Sequence, residues 1–218
     1  MWDARGGTGR IMIKVYYMDA AGLSDADFEK IYSEASAFRR EKADAFTFPG
    51  ARRLSLCASA LLAEGLKEYG LAESELEYEL GVHGKPAIKG HPEIHFSISH
   101  SVDKVMVCFA KSEVGCDIEK CEPKSDDKEV ALSKRFFHFN EARSVEDNPE
   151  LFYRYWTLKE SFVKQSGKGL SMKLKDFEVI LNEGVKGSNL RLVELETFEG
   201  YCAAICAEHL DDINVMYI

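Results

Sequence analysis

The chain has 218 residues, 45% of them hydrophobic and 30% charged, with a formal net charge of −9 at pH 7. That composition supplies a core for one large domain or for two of roughly 100 residues each, and it reads as a soluble protein. A general nucleic-acid binder, which needs a basic stripe, is excluded, and no run approaches the ~20 apolar residues of a membrane span.

The opening MWDARGGTGR lacks the apolar segment of a secretory signal, so a cytoplasmic setting is expected. Its 6-GGTG-9 cluster precedes a strand and lacks the Lys-Ser/Thr of a P-loop, so it reads as an irregular N-terminus. Residues 10-RIMIKVYYM-18 alternate Ile11, Ile13, Val15 and Tyr17 against Met12, Lys14, Tyr16 and Met18, which predicts a strand with at least one buried face. Ser24 then opens a charged helical stretch, 24–46, with apolar residues at Phe28, Ile31 and Phe38. A second helix, 51-ARRLSLCASALLAEGLKEYG-70, stops on Gly70.

Short strands are predicted around 76–80, 94–99, 104–110 and 114–119, the loop 100-HSVD-103 making the middle two a hairpin. A polar, Pro-containing connection over 120–129 leads to helices over 130–144 and 150–166, then to strands over 175–181 and 201–208. This order suggests two α+β halves, 1–110 and 111–218. The six cysteines (Cys57, Cys108, Cys116, Cys121, Cys202, Cys206) form no CxxC pair. Cys202 and Cys206 lie in an apolar run and read as packed thiols in a reducing compartment.

Two segments carry candidate chemistry. In 113-EVGCDIEKCEP-123, Asp117 and Glu119 share one face of a strand while Cys116 and Ile118 take the other, and Gly115 leaves room for close approach. In 153-YRYWTLKESFVKQSGKGL-170, Trp156, Glu160 and Lys164 recur at i, i+4 and i+8 along one side of a helix. The plain alternative is an edge strand with solvated acids and a surface ion pair. Glu160, however, sits among aromatics where an unpaired charge is costly. A hard cation held by Asp117, Glu119 and Glu160 accounts for all three carboxylates, and Lys159 and Lys164 beside it suit an anionic, phosphate-bearing ligand.

The segments 84-GKPAI-88, 96-FSISHS-101, 114-VGCDIEK-120, 135-RFFHFNE-141 and 156-WTLKESFVKQSGKGL-170 resemble, in order and spacing, the Sfp-type 4′-phosphopantetheinyl transferases. The resemblance spans essentially the whole chain, and the last segment is its most specific part. It implies an α+β pseudo-dimer of two similar halves with the active site in the cleft between them. It also implies transfer of the phosphopantetheine arm of coenzyme A to a serine of an apo acyl, peptidyl or aryl carrier protein, releasing 3′,5′-ADP. Magnesium, or manganese in its place, would be the metal and coenzyme A the substrate, and the protein is expected to act as a monomer.

By the same resemblance Asp117, Glu119 and Glu160 are the metal ligands. Glu160 is also the base for the attacking serine, and Lys164 steadies the phosphate charge. Lys85, Ser99 and His100 match coenzyme-binding positions, and Arg39 and Lys42 match basic residues for the coenzyme 3′-phosphate. A further arginine is expected before the second helix, where an ungapped register places Leu54, so Arg52 or Arg53 takes the role after a small shift. Cys116 stands where a branched aliphatic is usual, and Glu141 aligns with a recurring acid of unassigned role. Carrier docking is expected along 136-FFHF-139 and after Gly169. Two rival readings are a metal-dependent phosphodiesterase, which commonly adds histidine ligands, and a non-catalytic coenzyme A or carrier-binding module.

Overall fold

A computed structural model describes residues 12–122, 126–210 and 212–218. The 6-GGTG-9 cluster and part of the Pro-containing connection lie outside these residues. Strand β1 (Met12–Asp19) is buried on both faces, because Ile13 and Val15 enter one core while Tyr16 and Met18 enter another. The predicted helical stretch 24–46 is two helices, α1 (Asp25–Glu34) and α2 (Ala37–Asp44). Ser24 caps α1 in a reciprocal box with Asp27, and Ser36 caps α2, which ends the continuity. Helix α3 runs Pro49–Leu66 and closes through a 3₁₀ turn onto a left-handed Gly70.

Strands β2 (Tyr78–Leu80) and β3 (Pro86–Ile88) form a small hairpin, followed by β4 (His95–Ser101), β5 (Lys104–Ala110) and β6 (Val114–Lys120). The β4–β5 hairpin turns on Val102 and Asp103, with Val102 at φ 57°. The next predicted helix also divides, into α4 (Asp126–Phe136) and α5 (Phe139–Asp147), because His138 caps α5 in a box closed by Glu141. Helix α6 spans Leu151–Ser166. The strand expected over 175–181 shrinks to β7 (Val179–Ile180), paired with β8 (Gly184–Val185). Strand β9 (Arg191–Leu195) precedes β10 (Tyr201–Ala207), and β11 (Asp212–Tyr217) ends the chain.

The mixed helix and strand content is α+β, as expected. One sheet has the order β11-β1-β5-β4 and a second the order β6-β10-β9. β11 lies parallel to β1, so the last strand of the sequence joins the sheet of the first half. Ile13, Val15, Met106 and Cys108 of the first sheet share a core with Val114, Cys116, Ile118, Ala203 and Ile205 of the second. Helix α3 covers the far face of the first sheet, and α6 with Phe137 covers that of the second. Cys121 and Cys202 are joined as a disulfide across the β6–β10 pair, their Cα atoms 6.2 Å apart, which corrects the reading of Cys202 as a packed thiol. Among the described residues no helix is long and apolar enough to cross a membrane.

Candidate active site

The edge strands of the two sheets, β4 and β6, meet through serine side chains. Ser97, Ser99 and Ser101 occupy alternate positions of β4 and so share a face. Their hydroxyls accept from the backbone N–H groups of Cys116 (3.1 Å), Ile118 (3.3 Å) and Lys120 (3.1 Å). Two of them also grip the acids of β6. Ser99 donates to Asp117 Oδ1 at 2.7 Å and Ser101 to Glu119 Oε2 at 2.7 Å. The period-two serines of 97-SISHS-101 were the signal for this ladder, and sequence reasoning singled out only Ser99 among them.

On its other side β6 lies against α6. A Cβ at Gly115 would collide with Ser161 O and Gln165 N, so glycine is what permits strand and helix backbones to touch. That contact brings α6 residues over the acids. Lys164 donates to Asp117 Oδ1 at 2.6 Å and to Ser99 Oγ at 2.8 Å. Ser99 Oγ therefore has its one donor and both acceptor directions occupied, which makes it a brace for Asp117 and Lys164 and not a free phosphate contact.

A cleft of about 510 Å³ opens beside this arrangement, lined by Lys42, His83 to Pro86, Phe96 to His100, Asp117, Glu119, Trp156, Glu160, Val163, Lys164, Gly167 and Gly169. It thus gathers Lys42, Lys85, Ser99, His100, Asp117, Glu119, Glu160 and Lys164 from the sequence-predicted set. Burial, then the Asp117 charge, pushes the Glu160 carboxyl above its ordinary range. Burial does the same to Glu119, reinforced by Asp117 and opposed by the hydrogen bond from Ser101. Burial alone would lower Lys164, yet the Asp117 carboxylate holds it above the ordinary lysine value. Partial desolvation and the Lys164 charge lower the His100 imidazole below its ordinary value. Lys42 is lowered by burial and by Arg39.

Among the described residues no three His, Cys, Asp or Glu side chains converge as a ready-made metal site, and Lys164 holds one oxygen of Asp117. The residues nevertheless fit a hard cation. Asp117 is 3% exposed, and among the described residues its buried Oδ2 has no hydrogen-bond partner, an arrangement that costs free energy unless a charge meets it. Burial, with the Asp117 charge beside it, raises the Glu119 and Glu160 carboxyls, and a cation there would offset that cost.

Three sequence expectations are corrected. Lys159 is completely buried on the other side of α6, donating to Glu141 Oε1 at 2.6 Å and to Phe177 O at 2.8 Å. Its ammonium is taken up by those two partners, and Lys159 is absent from the cleft lining that its neighbour Glu160 joins. The same contacts assign Glu141, which also accepts from the N–H groups of His138 and Val179. Arg39 is 2% exposed and donates to Ser59 Oγ and Ser55 O, anchoring α2 on α3; only Lys42, one turn on, reaches the cleft. Arg53 lies outside it, paired with Asp25 and stacked 4.5 Å over Phe28, while Arg52 pairs with Asp44.

A family model described as the 4'-phosphopantetheinyl transferase superfamily matches residues 113–206, which contain β6 and α6. The 4'-phosphopantetheinyl transferase Sfp of Bacillus subtilis is 34% identical over 216 residues, covering 91% of this chain and 94% of that protein. The 4'-phosphopantetheinyl transferase psf-1 of Bacillus pumilus is 29% identical over 194 residues, covering 84% and 81%. The HetI transferase of Nostoc is 28% identical over 167 residues, covering 72% and 69%. On the length and level of this identity, the chain belongs to the 4'-phosphopantetheinyl transferase superfamily.

Proposed function

We propose that the β4–β6–α6 cleft binds coenzyme A with a divalent cation and transfers its phosphopantetheine arm to a serine of an apo acyl, peptidyl or aryl carrier protein, releasing 3′,5′-ADP. The observation that carries this reading is Asp117, whose buried Oδ2 has no hydrogen-bond partner among the described residues, lining one cleft with Glu119, Glu160, Lys42 and Lys164. Asp117, Glu119 and Glu160 would hold magnesium, or manganese in its place. When bound, the ion neutralises pyrophosphate charge and orients its oxygens. The site lies between the halves 1–110 and 111–218, the last strand returning to the first, in a cytoplasmic monomer.

The transfer passes through a loose transition state, so the protein's task is to position groups and neutralise charge. Lys164, already charged and fixed by Asp117 and Ser99, meets the charge that develops on the leaving group. His100 donates a hydrogen bond to a phosphate oxygen, and Lys42 supplies the cation for the 3′-phosphate. Glu160, raised by burial and by Asp117, takes the proton of the attacking serine, a role worth ~10²–10⁴-fold. The carrier would dock beside the cleft. There a trough of about 820 Å³ is formed by Phe136, Trp156, Leu170, Met172 and Leu174 and rimmed by Arg135, Lys173 and Lys175.

The test is incubation with coenzyme A, magnesium and a panel of apo carriers, read by intact mass. One added phosphopantetheine arm per carrier, with release of 3′,5′-ADP and no gain on a carrier whose serine is alanine, is expected. Rapid coenzyme cleavage without a carrier would instead indicate a phosphodiesterase. Tight binding with no chemistry would indicate a binding module.

A further inference from the structure

Lys85 lines the cleft, but its ammonium is engaged by groups of the protein itself. The three N–H directions of that group meet Glu113 Oε2 at 2.5 Å, Val114 O at 3.0 Å and Gln165 O at 3.3 Å. Lys85 itself closes the turn of the β2–β3 hairpin, where Gly81 N–H donates to its carbonyl at 2.8 Å. The other oxygen of Glu113, Oε1, lies 3.2 Å from His95 Nδ1 at the start of β4. One carboxylate on the connection between the halves therefore ties together the hairpin and the first sheet, and through Lys85 it also holds the last turn of α6.

The last turn of α6 carries Lys164, directly before Gln165. The hairpin lies close against the segment that follows: a Cβ at Gly169, already in a left-handed conformation at φ 51°, would sit 3.2 Å from His83 O. Burial alone would raise the Glu113 carboxyl, yet Lys85 beside it holds it below the usual carboxylate range. We infer that Lys85 and Glu113 form a latch that holds the β2–β3 hairpin against the end of α6 and so sets the width of the coenzyme cleft, with Glu113 as a positioning residue for coenzyme binding. This rests on the coenzyme reading above. It moves Lys85 from coenzyme contact to structural tie.

The two roles for Lys85 predict opposite results for one substitution, Glu113→Gln. A lysine that served the phosphates directly would be released by it, and coenzyme would bind equally well or more tightly. A latch would be broken, so the coenzyme Kd should rise about threefold to fivefold, the range of a partly exposed ion pair, and KM should rise by more than kcat falls. Coenzyme A is titrated into the full-length protein with magnesium by calorimetry, with melting curves confirming that each variant is folded. Lys85→Met should weaken binding as well, and the double variant should be no weaker than the weaker single one. Glu113→Asp, which keeps the charge, should fall between wild type and Glu113→Gln, and it serves in place of Glu113→Gln if that variant does not fold. Unchanged or tighter binding by Glu113→Gln overturns the latch, as do additive losses in the double variant. No coenzyme binding by the unaltered protein overturns the coenzyme reading itself, and the latch with it.

Discussion

The Lys159 ammonium lies 2.6 Å from Glu141 Oε1 with both side chains shut off from water, and 4.1 Å from the centre of the Phe177 ring. Burial lowers this lysine to about 8, against the pull of Glu141. The pair fixes α6 to α5 and to the strand that begins at Val179, whose N–H also reaches Glu141. Removing one partner strands a buried charge, so Lys159→Met should cost about 3–5 kcal/mol of stability. Glu141→Gln should cost nearly as much. Denaturant melts measure this, and coenzyme titration at a temperature where the variant is folded should give a Kd near wild type. A large loss of coenzyme affinity without loss of stability would return Lys159 to the cleft.

Why Lys159 misled and Glu160 did not is a matter of helix phase. The i, i+4, i+8 spacing places Trp156, Glu160 and Lys164 together, and all three line the cleft. Lys159 falls off that line, and its ammonium turns instead to Glu141 and Phe177 O. The acids of β6 were legible for the same kind of reason, since period two puts Asp117 and Glu119 on one face. Burial of a cation such as Arg39 was not legible, because its partners Ser55 and Ser59 lie a helix away. The splits at Ser36 and His138 were visible as caps, and the helical periodicity on either side obscured them. Strands β9 and β11 are short and partly exposed, and β11 is recruited by β1 from the opposite end of the chain, a pairing that no local pattern encodes.

The acid cluster sets a tension between stability and activity. Glu119 and Glu160 have raised carboxyls in the folded protein, so the folded state keeps protons that the unfolded chain has already released. Stability without metal should therefore be greatest below their ordinary, unfolded-chain pKa values and fall as pH rises from there through the raised folded values. Magnesium should reverse that loss near neutral pH, raising the melting temperature in the absence of coenzyme. Glu160→Gln removes one of three neighbouring negative charges. It should raise the metal-free melting temperature by about 2–4 °C, as ~1 kcal/mol does at this size, while cutting transfer ~10²–10⁴-fold. A metal-free variant that melts lower than wild type would contradict the repulsion argument.

Ser101 should act on metal affinity rather than on coenzyme. Its hydroxyl donates to Glu119 and accepts from Lys120 N–H, so Ser101→Ala frees Glu119 to swing and leaves a half-buried N–H without its acceptor. Loss of an orienting partner of this kind typically costs ~10–100-fold in metal affinity. Activity titrated with magnesium should show a higher requirement that saturating metal overcomes. A variant with unchanged magnesium dependence would make the ladder a purely structural seam.

Lys42 and Arg39 separate a ligand contact from a scaffold residue three positions away. Lys42 faces the cleft, and its charge is disfavoured by burial and by Arg39, so an incoming anion should be drawn to it. Lys42→Ala should weaken coenzyme A more than dephospho-coenzyme A, by about tenfold for one lost charge-assisted contact. Arg39→Met should instead lower the melting temperature, because it removes the two hydrogen bonds by which α2 is anchored to Ser55 O and Ser59 Oγ of α3. Equal binding of the two coenzyme forms by wild type would show that Lys42 meets some other group.

Leu170 offers the cleanest test of the docking face. Its side chain is fully exposed at the edge of the apolar trough, and Phe139 nearby in sequence to Phe136 is 73% exposed. Nothing in the fold of this chain is stabilised by leaving two large apolar groups in water, so their use is most economically placed in a complex. Leu170→Ser removes apolar surface without disturbing any internal contact, and its melting temperature should match wild type. If the carrier seats its helix there, the variant should raise the carrier KM by roughly tenfold, about the 1–2 kcal/mol of one buried leucine, with the coenzyme Kd unmoved. Arg135, Lys173 and Lys175 on the rim should add a salt-dependent component, so that carrier KM rises with ionic strength more steeply than coenzyme Kd does. An unaltered carrier KM in Leu170→Ser, at any salt concentration, would place the docking face elsewhere on the protein.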